Sequence, residues 1–213
     1  MGTIKKGILG GFSGKVGTVV GASWKGIAYM RSLPQKVKNP RTEPQRMQRS
    51  KFALTLAFLK PMNGLLRIGW KLYAHRQSPI NAAMSYTIAN AIMGTYPNYA
   101  IDPSKVFISR GSLSPALNAS VTPSAGGTIA FDWNDNSGSS TARQTDKALL
   151  AVVNPEKSEA VFDTAGAQRS DVTQSLNMPA DWLGETVHAY IGFISEDDKD
   201  LANSVYLGAV TVV

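Results

Sequence analysis

The second half of the chain is built from short runs in which apolar and polar residues alternate. From residue 105 onward there are eight such runs, separated by clusters rich in Gly, Pro, Ser, Asn and Asp. Alternation with a period of two is typical of strands that bury one face, because successive side chains point to opposite sides. Eight such runs predict an antiparallel β-sandwich of the immunoglobulin-like kind. The runs are KVFISR, ALNASV, TIAFDW, KALLAVV, EAVFD, DVTQSL, TVHAYIGFI and SVYLGAVTVV.

The stretch before those runs carries a helical pattern. Thr42 and Gln45 stand at the spacing of a capping box, in which each side chain bonds the backbone amide of the other position. They predict a helix over residues 43–60 that ends before a proline. A second helix is expected over residues 61–75, weakened by two glycines. A third is expected over residues 78–93, begun by a Ser-Pro pair and ended by a glycine.

The first 32 residues hold eight glycines among β-branched and aromatic residues. This composition predicts a β-hairpin that pairs residues 15–20 with residues 26–31. Because glycine weakens a strand, the ribbon is expected to need a surface to pack on, in this chain or another. Residues 33–42 contain two prolines and are expected to be extended.

Together these patterns predict an α+β chain with two domains. Residues 1–100 would form a Gly-rich β-ribbon arm with a short three-helix unit, and residues 101–213 an immunoglobulin-like antiparallel β-sandwich. Of the 213 residues, 43% are apolar, which is enough for a packed core. No apolar run approaches the roughly 20 residues that span a bilayer, and no signal-peptide core is recognisable. A cytoplasmic or virion-associated protein is therefore expected.

Charge is divided unevenly along the chain, whose net charge is +7. Up to residue 76 there are 15 basic residues and one acid, a net charge of +14. From residue 102 onward there are 7 basic and 14 acidic residues, a net charge of −7. Such a split indicates that the two segments meet different partners or neighbours. The basic half suits phosphates, an acidic lipid surface, or the acidic half of another copy.

The chain lacks the residues that most enzyme and metal sites need. It has no Cys and two His, which excludes disulfides, thiolate zinc sites and thiol nucleophiles. Gly14-Lys15 fails the pattern of a phosphate-binding P-loop, and the loop DWNDNSG lacks the bidentate Glu of a calcium loop. His75 and His188 lie far apart in sequence, and no GxSxG surrounds a serine. We therefore expect no enzyme activity, no catalytic, cofactor-binding or metal residues, and no small-molecule substrate.

The strongest positive feature is the basic segment between residues 31 and 51. It enters a predicted helix N-terminus, where backbone N–H groups and basic side chains act together on anions. Two nearby aromatic residues could stack on nucleic-acid bases. The alternatives to nucleic-acid binding are that this segment is a solvated face, or a strap that docks on an acidic protein surface. The candidate partner-binding or anion-binding residues are Arg31, Lys36, Lys38, Arg41, Arg46, Arg49, Lys51, Trp24 and Tyr29.

The stretch GGFSGKVGTVVGASWKGIAYMRSLP, with the NPRTEPQRMQRSKF that follows, resembles an uncharacterised family found in Bacteroidetes genomes and their phages. The resemblance extends over essentially the whole chain. It implies a protein associated with mobile elements or virions, and it transfers no catalytic residue because the family has no established activity. The specific part is the pattern NPRTxxQxxxRxF, carried here by Asn39, Pro40, Arg41, Thr42, Gln45, Arg49 and Phe52.

These observations favour a structural function. The leading hypothesis is a non-enzymatic assembly protein that associates with itself or with a protein partner through its basic N-terminal arm. The alternative is a nucleic-acid-binding protein without sequence preference. A second alternative is a secreted, adhesin-like protein. No membrane partner is expected.

Overall fold

The computed structural model describes residues 2–4, 7, 10–24, 26–34 and 41–213. The protein consists mostly of antiparallel β-sheets with a small helical unit, which agrees with the predicted α+β class at that level. The chain divides into two compact units, Met1–Thr42 and Glu43–Val213. The sequence analysis instead placed the division after residue 100.

The first unit contains a four-stranded antiparallel sheet whose strands follow chain order. The predicted hairpin is present, but its partners are the third and fourth strands rather than residues 15–20 and 26–31. The reason is a turn at Gly17 (φ 57°), a left-handed conformation that glycine adopts readily, which splits residues 15–20 between two strands. The strands are β1 (Thr3–Ile4), β2 (Phe12–Val16), β3 (Val19–Trp24) and β4 (Ile27–Ser32).

The second unit begins with three helices. The helix predicted over residues 43–60 is confirmed, whereas the second helix is shorter than the predicted 61–75 because separate 3-10 turns replace its two ends. None of the helices in the described ranges is long and apolar enough to cross a bilayer. The helices are α1 (Glu43–Leu59), α2 (Asn63–Gly69) and α3 (Pro79–Asn90), and the 3-10 turns are Lys60–Met62 and Lys71–Tyr73.

Helix α3 begins as predicted but ends early. The Ser78 hydroxyl accepts a hydrogen bond from the N–H of Asn81 at 3.3 Å, as an N-cap does. The helix stops at Asn90 rather than at residue 93, because the chain turns into a hairpin that the sequence pattern did not predict. Its strands are β5 (Ile92–Thr95) and β6 (Asn98–Ile101).

Seven further strands form two antiparallel sheets. One sheet has the strand order β10-β9-β12-β13 and the other the order β11-β8-β7. Seven of the eight alternating runs are therefore strands. The strands are β7 (Leu117–Ser124), β8 (Thr128–Asn134), β9 (Lys147–Asn154), β10 (Glu159–Asp163), β11 (Thr173–Asn177), β12 (Thr186–Ile194) and β13 (Val205–Thr211).

The run KVFISR is the exception. Val106 and Ile108 are buried, as the alternation predicts. The run nevertheless joins no sheet, because its backbone bonds side chains and the backbone of loop and helix residues instead of a neighbouring strand. The N–H of Ile108 donates to Ser204 Oγ at 2.9 Å, and the carbonyl of Phe107 accepts from Trp70 Nε1 at 3.1 Å. The pattern thus predicts the burial of Val106 and Ile108, misses that of Ser109, and predicts the hydrogen bonding wrongly.

The four-stranded sheet of the second unit, β10-β9-β12-β13, is covered by apolar side chains on both faces. Along β9, Ala148, Leu150 and Val152 belong to an apolar cluster shared with the three-stranded sheet. The alternate residues Leu149 and Ala151 belong to a second cluster, which the three helices complete. Strands buried on both sides are apolar throughout, which explains the run KALLAVV. Because helices and sheet share this core, residues 43–213 form one unit.

Candidate functional site

The candidate site is built by the pairing of β2, β3 and β4. Lys15 pairs with Val20, and Val20 pairs with Arg31, so one row of side chains crosses three strands. Opposite residues of antiparallel strands share a face, and so do residues two apart in one strand. We call this surface the cationic–aromatic face; it is formed by Lys15, Val20, Ala22, Trp24, Ile27, Tyr29 and Arg31.

The large side chains of the cationic–aromatic face are exposed. Trp24 is 63% exposed, Ile27 66% and Tyr29 44%. The two cations, Lys15 and Arg31, are exposed as well. Aromatic rings next to cations can stack on planar groups while the ammonium and guanidinium groups bind anions. The face is therefore equipped to bind an anionic partner that also offers flat or apolar surface.

The opposite face of this sheet explains its glycines. Gly21 is buried, and a Cβ at that position would overlap both the carbonyl oxygen and the ring of Phe12. The ring of Phe12 therefore lies directly against the backbone of β3. Met30, which pairs with Gly21, is on this opposite face and is 71% exposed. Glycine at position 21 thus allows the neighbouring strand to cover β3.

Three of the predicted binding residues, Trp24, Tyr29 and Arg31, share the cationic–aromatic face. Sequence reasoning missed Lys15 as a member of this group. The two-residue turn at Gly17 brings Lys15 beside Val20, and therefore into the row of Arg31. A glycine followed by a threonine between Val16 and Val19 is the sequence signal that could have located this turn.

Three other predicted residues lie near the end of the first unit. Lys36 and Lys38 fall outside the described residues. Arg41 is exposed and has a left-handed backbone (φ 46°).

The remaining three predicted residues are on α1, in the second unit. Arg46 and Arg49 are exposed and stand three residues apart, which puts them on one side of the helix. Lys51 is half-buried, and its Nζ lies 5.0 Å from the centre of the Tyr99 ring. That contact ties α1 to β6, so Lys51 contributes to packing as well as to charge.

The second unit presents an acidic loop, residues 195–200, between β12 and β13. Asp197 accepts hydrogen bonds from Lys199 Nζ at 2.9 Å and from Ser195 Oγ at 2.7 Å. These bonds, with that of Lys199 the stronger, hold the pKa of Asp197 far below its usual value. Lys147 forms a longer ion pair with Asp198, at 3.8 Å. The loop is therefore an ordered anionic surface at neutral pH.

A polar cleft of about 490 Å³ lies beside the acidic loop. Three carboxylates and one cation line it, together with serine and threonine hydroxyls; the charged residues are Asp146, Asp197, Asp200 and Arg143. Asp146 also pairs with Arg169 at 3.1 Å, and both of these side chains are fully buried. The cleft thus places exposed carboxylates beside a rigid wall.

The loop DWNDNSG, which lacks the bidentate Glu of a calcium loop, helps to hold that wall of the cleft. Asn136 Oδ1 accepts from Arg169 Nη1 at 2.5 Å, and Asp135 accepts from the N–H of Ser137 at 2.8 Å. Over the described ranges, no group of three or more His, Asp or Glu side chains could hold a metal ion. The asparagine and aspartate of this loop therefore serve the fold.

His188 lines an apolar cavity of about 400 Å³ between α1, β6 and β9. Its Nδ1 lies 2.9 Å from the hydroxyl of Tyr206 on the neighbouring strand, and burial lowers its pKa. The ring is therefore neutral near pH 7 and acts as a cross-strand polar contact, in line with the alternation of β12.

Comparison with known proteins adds a family to this geometry. The family model of DUF6266, a family of unknown function, matches residues 11–208. The chain belongs to this family. The expectation of an uncharacterised family is thereby confirmed, while the association with Bacteroidetes and phages stays a prediction.

The DUF6266 chain is also similar to the fn3 domain of the human collagen alpha-1(XX) chain, known from solution structures. The two are 12% identical, and the match covers 49% of this chain and 91% of that chain with a TM-score of 0.35. No curated protein matches the DUF6266 chain.

Proposed function

We propose that this DUF6266 protein is a non-enzymatic assembly protein that binds a partner of negative charge through its basic N-terminal arm. The observation that carries the proposal is the cationic–aromatic face. Lys15 and Arg31 lie in one cross-strand row of this face, and its exposed apolar and aromatic side chains, Tyr29, Trp24 and Ile27, lie in the next two rows. Soluble monomers rarely expose large apolar side chains in one contiguous patch, so a patch of this kind marks an interaction site.

A second copy of the chain offers a matching surface. Its acidic loop, which borders the polar cleft, brings four exposed carboxylates together on the second unit. Opposite charges steer two such surfaces together, and the exposed rings would supply the apolar contact. Self-association through these two surfaces is therefore the form of assembly that we favour, with virions or mobile elements as its setting.

The second unit supports this role as a rigid scaffold, and we assign its sheets to an immunoglobulin-like sandwich. If β7–β13 are taken in order as strands A to G, then A, B and E lie in one sheet and C, F and G in the other, as in that fold. The fourth strand, β10, joins the C strand at its edge. Binding loops of such domains cluster at one end, where the acidic loop and the polar cleft also lie.

A specific observation also favours the runner-up, binding to single-stranded nucleic acid. The exposed rings of Trp24 and Tyr29 lie on the same face as Lys15 and Arg31. Stacking on bases beside cations that contact phosphates is how many proteins hold single strands without reading sequence.

The test is sedimentation velocity on the purified, nuclease-treated chain over a range of salt concentrations. We expect self-association at low salt that weakens as salt screens the charges. The double variant Lys15→Glu with Arg31→Glu should lose association by about tenfold or more, the effect of roughly 1.4 kcal/mol. The matched control, Lys60→Glu with Arg67→Glu, makes the same change in net charge at two exposed residues of the second unit and should keep association.

Two results would count against the proposal. A monomer at low salt and high concentration, with no binding to an acidic protein, would remove it. Equal loss of self-association in the double variant and in the control would show that association depends on net charge alone and not on the cationic–aromatic face. If instead a labelled single strand binds, and its binding falls steeply with salt and with Tyr29→Ala, the nucleic-acid alternative replaces it.

A further inference from the structure

The outer edge of β4 has no partner among the described residues. β4 is the last strand of its sheet and pairs with β3 on one side. All six of its residues are exposed, and they include one charge, Arg31, and neither Pro nor Gly. Flat edge strands with so few charges are templates for pairing with another strand, because their outward N–H and C=O groups lack partners.

The register shows which backbone groups point outward. The N–H of Leu33 donates to the carbonyl of Thr18 at 2.7 Å, just beyond the end of the β3–β4 pairing. In an antiparallel pair, residues with inward and outward hydrogen-bonding groups alternate. Odd-numbered residues of β4 therefore bond β3. The backbone groups of Ala28, Met30 and Ser32 face the open edge.

We propose that β4 pairs antiparallel with β4 of a second copy, across a two-fold axis at Met30. The three outward residues are centred on Met30, so this pairing matches every outward donor with an acceptor. Met30 then faces Met30 of the second copy, and Ala28 faces Ser32. The product is one continuous eight-stranded sheet. This inference concerns the edge of the sheet and goes beyond the proposed function, which concerns its face.

The side chains fit the same register. A two-fold axis normal to the sheet keeps the cationic–aromatic face of both copies on one side. Tyr29 then lies opposite Arg31 of the second copy, so that ring and guanidinium can interact and no like charges stand directly opposite. A register centred on Tyr29 would instead place Ser32 opposite Gly26, in the turn, and lose its hydrogen bonds. Pairing centred on Met30 therefore satisfies more of the outward backbone groups of β4 than pairing centred on Tyr29.

Edge pairing and the charge contact proposed above respond differently to salt. Main-chain hydrogen bonds between strands do not depend on net charge, and the basic sheets of two copies repel each other. Salt should therefore preserve or strengthen the paired edge while it weakens binding to an acidic surface. At about 1 M NaCl, where charges are screened beyond about 3 Å, the two proposals can be tested separately.

Single cysteines test the register directly, because the chain has none of its own. Directly opposed residues have Cα atoms about 5.5 Å apart, within the range of a disulfide. In about 1 M NaCl, Met30→Cys in the full chain should oxidise to a covalent dimer about tenfold faster than the two controls, because pairing raises its effective concentration. Tyr29→Cys controls for register on the same strand, and Ser124→Cys, exposed on β7, reports random collision.

The outcomes are distinct. Equal rates at all three positions would overturn the edge pairing, and fast oxidation of Tyr29→Cys alone would overturn the register. A proline provides the second readout. Met30→Pro removes the central outward N–H and should sediment as a monomer in this salt, whereas Met30→Leu keeps that N–H and should dimerise. A Met30→Pro chain that dimerises as well as Met30→Leu would also overturn the proposal, whatever the result for the charge contact.

Discussion

Arg169, like its partner Asp146, is a charged residue whose side chain is fully buried in the second unit. Its guanidinium is fully buried, pairs with Asp146, and donates to the carbonyl of Ser114 at 2.9 Å. It also lies 3.8 Å from the centre of the Phe193 ring. Burial lowers its pKa, and Asp146 opposes that shift. The arginine thus joins four distant segments of the chain.

Replacing this arginine should be far more costly than breaking a surface pair. Arg169→Met leaves Asp146 buried without its partner, so we expect a loss of about 3–5 kcal/mol in the free energy of unfolding. Urea denaturation measures it. Lys105→Met, which breaks the exposed pair with Asp102 (3.3 Å), is the control and should cost less than about 1 kcal/mol. Similar costs for both would contradict a structural role for the buried pair.

Residues such as Arg169 lie beyond sequence reasoning. Its partners come from positions that are separated along the chain and that only the fold brings together. The same holds for Lys15, whose place in the cationic–aromatic face depends on the exact turn residue. Trp24, Tyr29 and Arg31 could be predicted as a group because they lie within eight positions of each other in one hairpin.

Whole elements follow from pattern more reliably. Period-two alternation located β7 to β13, and the capping pattern located the start of α1. The pattern failed at KVFISR because alternation reports which side chains are buried, not where the backbone hydrogen bonds go. The predicted end of α3 at residue 93 was wrong because pairing between β5 and β6 overrides helix propensity there.

The stability of the KVFISR run, residues 105–110, should depend on the hydroxyl of Ser204. Ser204 Oγ accepts from the N–H of Ile108 at 2.9 Å and lies 3.4 Å from that of Ser109. Ser204→Ala removes this acceptor from buried donors, so we expect a loss of about 1–3 kcal/mol in unfolding free energy. Hydrogen exchange at the amides of Ile108 and Ser109 should also accelerate.

The control variant for Ser204→Ala is Ser120→Ala, on the exposed face of β7. It should change stability by less than about 0.5 kcal/mol. If Ser204→Ala were as mild, or if exchange at the two amides were unchanged, water or another group would have to satisfy them.

At the scale of the molecule, the helices belong with the sheets. The predicted boundary after residue 100 treats them as separate, yet Leu149 and Ala151 share a core with α1, α2 and α3. The apolar run KALLAVV, counted among the alternating runs, is the signal that could have shown this, because a strand that faces water on one side would alternate.

Fragments test this organisation. Residues 43–213 should unfold cooperatively on their own, as followed by circular dichroism on heating. Residues 101–213 should aggregate or stay unfolded, because loss of the helices would expose one whole face of the four-stranded sheet to water. A well-folded 101–213 fragment would restore the boundary that the sequence analysis predicted.

The sheet that is buried on both faces has a consequence for how this protein can change over evolutionary time. Substitutions along β9 and β12 alter two interfaces at once, so these strands have little freedom to vary. The exposed loop at residues 196–200 contributes to neither interface and can lengthen or change composition at small cost. New specificities are therefore most easily acquired there, by exchange of loops on an unchanged frame.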